Sequence, residues 1–98
     1  MMMTPITVFL VDNHPVVVDG LRKVLDTYDS VSVVGGANDV AEALPLLRAL
    51  RPRVVLLDIN MPKTSGIDAI TLIKAESPES RIVMLSMHDS REYISSSI

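Results

Sequence analysis

The feature of the sequence that most constrains its fold is a series of short apolar runs, rich in Val, Ile and Leu, that are separated by segments of helical length. The clearest runs cover residues 6–11, 54–57 and 82–85, and a weaker one covers residues 31–34. Strands that are apolar at every position suit a parallel sheet with both faces covered. Alternation of such strands with helices indicates right-handed βαβ crossovers. We therefore expect an α/β fold with an open parallel sheet and helices on both faces.

The segments between the apolar runs predict the helices. The first should begin near Pro15, because a proline is tolerated at the first helical position, where its missing N–H has no partner. The second should span roughly residues 40–50, and Pro45 within it leads us to expect a kink or a late helix start. The third should run from about residue 66 to residue 76, and a fourth should begin near Ser90.

Length, charge and cysteine content bound what the chain can bind. Its 98 residues are enough for one compact core, so we expect a single domain over residues 1–98. Twelve acidic side chains against nine basic ones leave a net charge of -3, which argues against direct DNA binding, since that rests on clustered Lys and Arg. The absence of cysteine excludes disulfides and thiolate metal sites. No apolar run is long enough to cross a membrane.

Three of the apolar runs end in a polar residue. Asp12 follows the first, Asp58 the third and Ser86 the fourth. Ligands of open α/β sheets bind outside the carboxyl ends of the strands, where the strand order reverses, and a 2-1-3-4 order would bring these three residues into one crevice. Two adjacent carboxylates repel each other unless a cation lies between them, and oxygen ligands favour Mg²⁺. The pattern predicts a Mg²⁺ site and an Asp that can attack phosphorus to form an acyl phosphate.

Three ordered segments resemble the receiver domain of bacterial two-component response regulators, in the NarL/LuxR-type subfamily with a helix-turn-helix output. They are Val11-Asp12-Asn13-His14-Pro15 with Asp19-Gly20-Leu21, Leu56-Leu57-Asp58-Ile59-Asn60-Met61-Pro62 with Gly66, and Met84-Leu85-Ser86-Met87-His88. The resemblance implies a flavodoxin-like fold, a Mg²⁺ cofactor, a sensor histidine kinase as partner and a cytoplasmic location. It also implies a phosphoryl acceptor that catalyses its own phosphorylation and is not a turnover enzyme.

The resemblance assigns roles to individual residues. Asp58 is the expected phosphoryl acceptor, and Ser86 is expected to hydrogen-bond the phosphoryl group and to act as the switch residue. Pro62 and Gly66 are expected to shape the loop after the acceptor. The expected metal ligands are Asp12, Asn13, Asp58 and the backbone carbonyl of Asn60.

Two features depart from the family pattern. Asn13 stands where the family usually has a second acid, so we expect weaker Mg²⁺ binding than in a regulator with both acids. The fifth strand, with its lysine, and the fifth helix have no counterpart in the 98 residues, so we expect a truncated receiver without an output domain. A fourth strand left at the edge invites pairing with another chain. A homodimer, edge-paired or domain-swapped, is the resulting expectation.

Other interpretations stay open at this point. The two strand-end acids could merely cap the helices that follow them. A hydrolase of the haloacid-dehalogenase type also uses an Asp at a strand end, but it has a second Asp two residues later, where this chain has Asn60. A receiver-like interaction module that no longer takes phosphate would fit both Asn13 and the absent lysine.

The two histidines and a pair of glycines are not interpreted as binding or catalytic residues. His14 and His88 are assigned no role, because no metal-ligand spacing links them and a loop histidine is usually solvated. Gly35-Gly36 is expected to form a turn, because neither a dinucleotide-binding fingerprint nor a Walker lysine follows it.

Overall fold

The computed structural model describes residues 4–58 and 66–85, in which strands and helices alternate strictly. The strands are Ile6–Val11 (β1), Val31–Ala37 (β2), Val54–Asp58 (β3) and Arg81–Leu85 (β4). The helices are Pro15–Leu25 (α1), Val40–Leu50 (α2) and Gly66–Glu76 (α3). Within these described ranges, no helix has the length and apolar character needed to span a membrane. The fourth helix expected near Ser90 lies outside the described residues.

The four strands form one parallel sheet in the order β2-β1-β3-β4. This confirms the predicted 2-1-3-4 order, in which β2 and β3 lie on opposite sides of β1. Because all strands are parallel, β1 and β3 end side by side, with Val11 opposite Leu57. The outer edge of β4 has no strand partner among residues 4–58 and 66–85, and the expected pairing with another chain stays a prediction.

The main core lies between the sheet and the helices α2 and α3. Alternate residues of the two central strands point to this side, namely Phe9 and Val11 from β1 and Val55 and Leu57 from β3, and all four are fully buried. The two helices close the core with Val40, Ala43, Leu47, Ala69 and Ile73. Right-handed crossovers put α1 on the opposite face of the sheet from α2. No residue of α1, which lies wholly within the described part of the chain, is fully buried.

The start of α2 corrects the expectation raised by Pro45. The helix begins at Val40, and the side chain of Asp39 caps it by accepting a hydrogen bond of 2.8 Å from the backbone N–H of Glu42. The predicted range of residues 40–50 is confirmed, and the late start, which was offered as an alternative to a kink, does not occur because a capped first turn forms ahead of the proline. Pro45 lies inside the helix and lacks the N–H that would bond the carbonyl of Ala41. The kink expected there stays a prediction.

Gly35 and Gly36 lie within β2, so the predicted turn is wrong. The pairing register of β1 and β2 shifts between Val8 and Phe9, which marks a β-bulge, and Phe9 lies opposite Gly35. A Cβ atom at Gly35 would lie only 3.1 Å from Cε2 of Phe9. The glycine therefore makes room for the largest fully buried side chain of the core.

Buried hydroxyl groups fasten the start of β4 to the segment that precedes β3. Ser80 donates from Oγ to the carbonyl of Pro52, and Oγ of Ser77 lies 2.6 Å from Oγ of Ser80. The backbone N–H of Arg81 donates to the carbonyl of Arg53 at 2.8 Å. These contacts fix the relative position of β3 and β4 at the amino end of the sheet, opposite the end where Asp12 and Asp58 lie.

Leu47→Ala tests this description of the core. Leu47 is fully buried, so we expect its truncation to leave a cavity and to lower the free energy of unfolding by about 2–5 kcal/mol. Leu46→Ala is the matched control, because Leu46 is the preceding residue of the same helix and is 39% exposed. We expect it to cost less than about 1 kcal/mol. Urea denaturation followed by circular dichroism measures both variants, and equal losses would contradict the packing.

Candidate functional site

Two carboxylates from neighbouring strands meet at the carboxyl edge of the sheet. Asp12 directly follows β1, Asp58 is the last residue of β3, and both are buried. The fully buried Val11 and Leu57 precede them and lie opposite each other in the sheet, which fixes both backbones. A carboxylate oxygen of each Asp and a ring nitrogen of His14 lie within 4.8 Å of one another. The predicted convergence of Asp12 and Asp58 is thus what the geometry shows.

His14 bridges the two carboxylates. Its Nδ1 lies 2.8 Å from Oδ1 of Asp12 and 3.1 Å from Oδ2 of Asp58. Its backbone N–H also donates to Oδ1 of Asp12, at 2.8 Å. Ionised carboxylates can only accept hydrogen bonds, so Nδ1 must carry a proton to bond both of them. The imidazole therefore supplies the donor that two adjacent carboxylates need.

The sequence interpretation missed this histidine. The signal that could have found it is the shortness of the connection between β1, which ends at Val11, and α1, which begins at Pro15. His14 is the N-cap residue of α1, with an extended backbone, and its side chain does not cap the helix. A connection of so few residues keeps every side chain near the carboxyl edge of the sheet.

Burial and charge shift the protonation of the site. Burial raises the pKa of the Asp12 carboxyl above its usual value of 3.8, and the negative charge of Asp58 acts in the same direction, while hydrogen bonds from His14 oppose the shift. The hydrogen bond to Asp12 raises the pKa of His14 above 6.5. The two pKa values rise for a common reason, because two neighbouring carboxylates that are shielded from water favour binding of a proton, either by a carboxylate or by the imidazole beside them.

One oxygen of Asp12 points to a bound cation. Oδ2 is buried and makes no hydrogen bond within the part of the chain that the structure describes. A buried acceptor without a partner costs about 1–3 kcal/mol, and coordination to a metal ion would remove that cost. Carboxylate oxygens are the ligands that Mg²⁺ prefers. The residues at this edge of the sheet therefore fit the predicted Mg²⁺.

The remaining predicted site residues divide into two groups. Asn13 lies exposed between Asp12 and His14 in the connection to α1, and Gly66 is the first residue of α3. Outside the described residues lie Asn60, Pro62 and Ser86. The roles expected of these five residues stay predictions.

Comparison with known proteins adds independent information. The family model for the response regulator receiver domain matches residues 8–98. Over 93 residues the chain is 59% identical to the transcriptional regulatory protein MctR of Rhizobium johnstonii. This alignment covers 95% of this chain and 44% of that protein. Over 88 residues it is 31% identical to the nitrate/nitrite response regulator protein NarL of Escherichia coli, and this alignment covers 90% of this chain and 41% of that protein. The chain thus spans less than half the length of these two relatives.

A solved structure gives the same result for the fold. The isolated REC domain of RcsB from Salmonella enterica serovar Typhimurium, determined in the presence of the phosphomimetic BeF₃⁻, matches with a TM-score of 0.79 at 32% identity. The match covers 94% of this chain and 69% of that one. The flavodoxin-like fold predicted from the sequence is confirmed.

The raised pKa values predict how the stability of the metal-free protein depends on pH. Folded Asp12 and His14 hold their protons more tightly than the unfolded chain does, so their contribution to stability is present at low pH and is lost as the pH rises. The loss begins above 3.8 for Asp12 and above 6.5 for His14, and it continues through the raised pKa of each group. In EDTA, we expect the free energy of unfolding to fall as the pH rises from 6.5.

Variants identify the group responsible for the upper part of this fall. His14→Ala should flatten the dependence above pH 6.5, whereas His88→Ala, which removes the other histidine of the chain, should keep it. Urea denaturation at a series of pH values in EDTA measures the effect. A wild-type stability that increases with pH over this interval, or an equal slope in His14→Ala, contradicts the prediction.

Proposed function

Because this chain belongs to the response regulator receiver domain family, we propose that Asp58 accepts a phosphoryl group from the phosphohistidine of a sensor histidine kinase. The observation that carries the proposal is the convergence of Asp12 and Asp58, within 4.8 Å, at the carboxyl edge of the sheet. Residues 1–98 act in this proposal as one receiver domain. The chain accepts one phosphoryl group as a signal and does not turn over a substrate.

The proposed transfer is an in-line displacement. An Oδ atom of Asp58 attacks the phosphorus and forms an O–P bond, while the P–N bond to the kinase imidazole breaks and its electron pair stays on that nitrogen. Asp58 lies in β3 and pairs with Leu85 of β4, so its backbone is held in place before the reaction. A nucleophile that is already positioned loses little entropy on reaching the transition state.

We propose Mg²⁺ as the cofactor, held by Asp12, Asn13, Asp58 and the backbone carbonyl of Asn60. The unpaired buried oxygen of Asp12 supports this assignment. When bound, the ion neutralises negative charge on the group being transferred. Ser86 is proposed to hydrogen-bond the phosphoryl group, and Pro62 and Gly66 to shape the loop after the acceptor.

The acyl phosphate is proposed to shift a two-state surface that controls a helix-turn-helix output domain. The relatives are named as a transcriptional regulatory protein and a nitrate/nitrite response regulator, which supports a role in transcription. This segment carries a net charge of -3 and is not itself proposed to contact DNA. Transfer of a phosphoryl group from a kinase and regulation of transcription both favour a cytoplasmic location.

Labelling with acetyl phosphate tests the proposed acceptor. In the presence of Mg²⁺, we expect wild type to gain the mass of one phosphoryl group and Asp58→Asn to gain none, because the amide is a poor nucleophile. Asp29→Asn, which removes an exposed Asp elsewhere, is the control and should label like wild type. Intact-protein mass spectrometry measures the gain. A wild type without any gain would instead favour an interaction module that takes no phosphate.

Asn13→Asp tests the proposed metal ligands. The substitution adds a charge beside Asp12, so we expect Mg²⁺ affinity to rise roughly tenfold, since affinity follows the number of charged ligands. Asn38→Asp is the control, because it adds the same charge just after β2 at an exposed position. Calorimetric titration with Mg²⁺ measures both. Equal affinities in wild type and Asn13→Asp would refute the role of Asn13.

Pairing of two copies along β4 is a further part of the proposal. Among the described residues β4 is an edge strand, and edge strands present unpaired backbone groups to a second chain. We expect the sedimentation coefficient of the 98-residue chain to rise with concentration. A monomer over the whole concentration range would remove this part of the proposal.

A further inference from the structure

We propose that His14 is itself a metal ligand, and that Asp12, His14 and Asp58 together bind a borderline transition-metal ion such as Co²⁺, Ni²⁺ or Zn²⁺ more tightly than Mg²⁺. The inference rests on the proposed function, because it names the class of cation that the same carboxylates hold. It shares Asp12 and Asp58 with the Mg²⁺ site proposed above and adds the ring nitrogen of His14 as a ligand, and that addition can be measured directly.

The distances fit three ligands of one ion. In octahedral coordination with bonds of about 2.1 Å, adjacent ligand atoms lie about 3 Å apart. Nδ1 of His14 lies 2.8 Å from the nearer oxygen of Asp12 and 3.1 Å from that of Asp58. The two oxygens are therefore as close to Nδ1 as adjacent ligands of one ion are, and a metal ion could take the place of the shared proton once the side chains adjust around it.

A second observation points to a cation at this place. The carboxylate of Asp12 is 3% exposed, and its Oδ2 has no hydrogen-bond partner among the described residues. The proton on Nδ1 serves Oδ1 of Asp12 and Oδ2 of Asp58, and it leaves the other oxygen of Asp12 unsatisfied. An ion that binds both oxygens of the Asp12 carboxylate, as well as the imidazole nitrogen, would give Oδ2 a partner.

The backbone presets the position of the imidazole. The N–H of His14 donates to the carboxylate of Asp12, and the next residue, Pro15, begins α1. These contacts hold the backbone of His14 beside the carboxylate, and the contacts of Nδ1 with Asp12 and Asp58 orient the ring. A ligand held in this way loses little freedom when it binds a metal ion.

The type of ligand decides the type of metal. Imidazole suits Co²⁺, Ni²⁺ and Zn²⁺, and affinity for nitrogen and oxygen sites rises from Mn²⁺ towards Ni²⁺ and Cu²⁺, whereas Mg²⁺ prefers oxygen. The chain has Asn13 next to Asp12, so the oxygen ligands of this connection carry one charge only. The side chain of His14 is 48% exposed, which leaves an open side where an ion can enter and keep water molecules.

Paired titrations of the 98-residue chain with Co²⁺ and with Mg²⁺, at one fixed pH, test the inference. We expect wild type to bind Co²⁺ more tightly than Mg²⁺. His14→Ala should weaken Co²⁺ binding about 10- to 100-fold, as loss of groups at metal sites does. The same variant should change Mg²⁺ affinity less than about threefold, because Mg²⁺ prefers oxygen ligands.

Two further variants sharpen the comparison. His14→Gln offers an oxygen in place of the nitrogen, so it should lose Co²⁺ affinity as His14→Ala does and keep Mg²⁺ affinity. His88→Ala, the control for loss of a histidine, should bind both ions like wild type. Proton NMR of the Co²⁺ protein gives a direct readout, in which a coordinated His14 shows a strongly shifted, solvent-exchangeable imidazole N–H signal that is absent from His14→Ala.

Several results would overturn the inference. A Co²⁺ protein without the shifted imidazole signal would do so, as would equal losses of Co²⁺ and Mg²⁺ affinity in His14→Ala. Tighter binding of both ions by His14→Ala would also reject it, because the imidazole would then only compete with the cation.

Labelling by acetyl phosphate separates this inference from the proposed function. Wild type that labels with Mg²⁺ but shows no imidazole signal with Co²⁺ rejects the ligand role of His14 alone. An imidazole signal without labelling rejects the phosphoryl-acceptor role of Asp58 and leaves His14 as a ligand.

Discussion

The repulsion between two buried carboxylates is the constraint on which the rest of the site depends. Asp12 and Asp58 are brought together because β1 and β3 are adjacent, parallel and end at the same level of the sheet. Desolvation makes each negative charge more costly, and proximity makes the pair more costly still. Positive charge or a donated proton must therefore be close at hand. His14 supplies it in the structure, and the same demand explains why a cation suits this edge of the sheet.

The fold separates the contacts that give stability from the pair of acids at the carboxyl edge of the sheet. The fully buried core lies on the side of the sheet covered by α2 and α3, and the hydroxyls of Ser77 and Ser80 secure the amino end of the sheet. Neither group of contacts uses the side chains of Asp12 or Asp58. The carboxyl edge can thus carry unfavourable charge, because the free energy that offsets it comes from elsewhere in the domain.

The parallel sheet and the pair of strand-end acids could be read from the sequence because both follow from local pattern, whereas the 2-1-3-4 order was taken from the flavodoxin-like fold. Short apolar runs reveal buried strands, their alternation with helices restricts the topology, and a polar residue at the end of a run marks the carboxyl edge. These rules placed Asp12 and Asp58 in one crevice. They need no knowledge of which side chains touch, since parallel strands end at one edge of the sheet and the 2-1-3-4 order makes β1 and β3 neighbours.

What the sequence could not provide depends on contacts between distant residues. Gly35 was expected in a turn, but it lies in β2 opposite Phe9, 26 positions earlier along the chain, whose ring leaves little room for a side chain there. The helix α2 spans the predicted residues 40–50, and the late start considered because of Pro45 does not occur, since Asp39 caps the first turn. His14 has an ordinary loop context in sequence, and only the approach of Asp58, 44 positions away, reveals its bridging position.

The pairing of Asp58 with Leu85 links the candidate site to the neighbouring strand β4. Asp58 is both a member of a hydrogen-bonded strand and the bearer of one of the two buried carboxylates, so the same residue belongs to the candidate site and to the scaffold. A displacement of the Asp58 backbone would therefore act directly on Leu85, which lies in the neighbouring strand β4. The site is thus coupled to β4 through the paired backbones of Asp58 and Leu85.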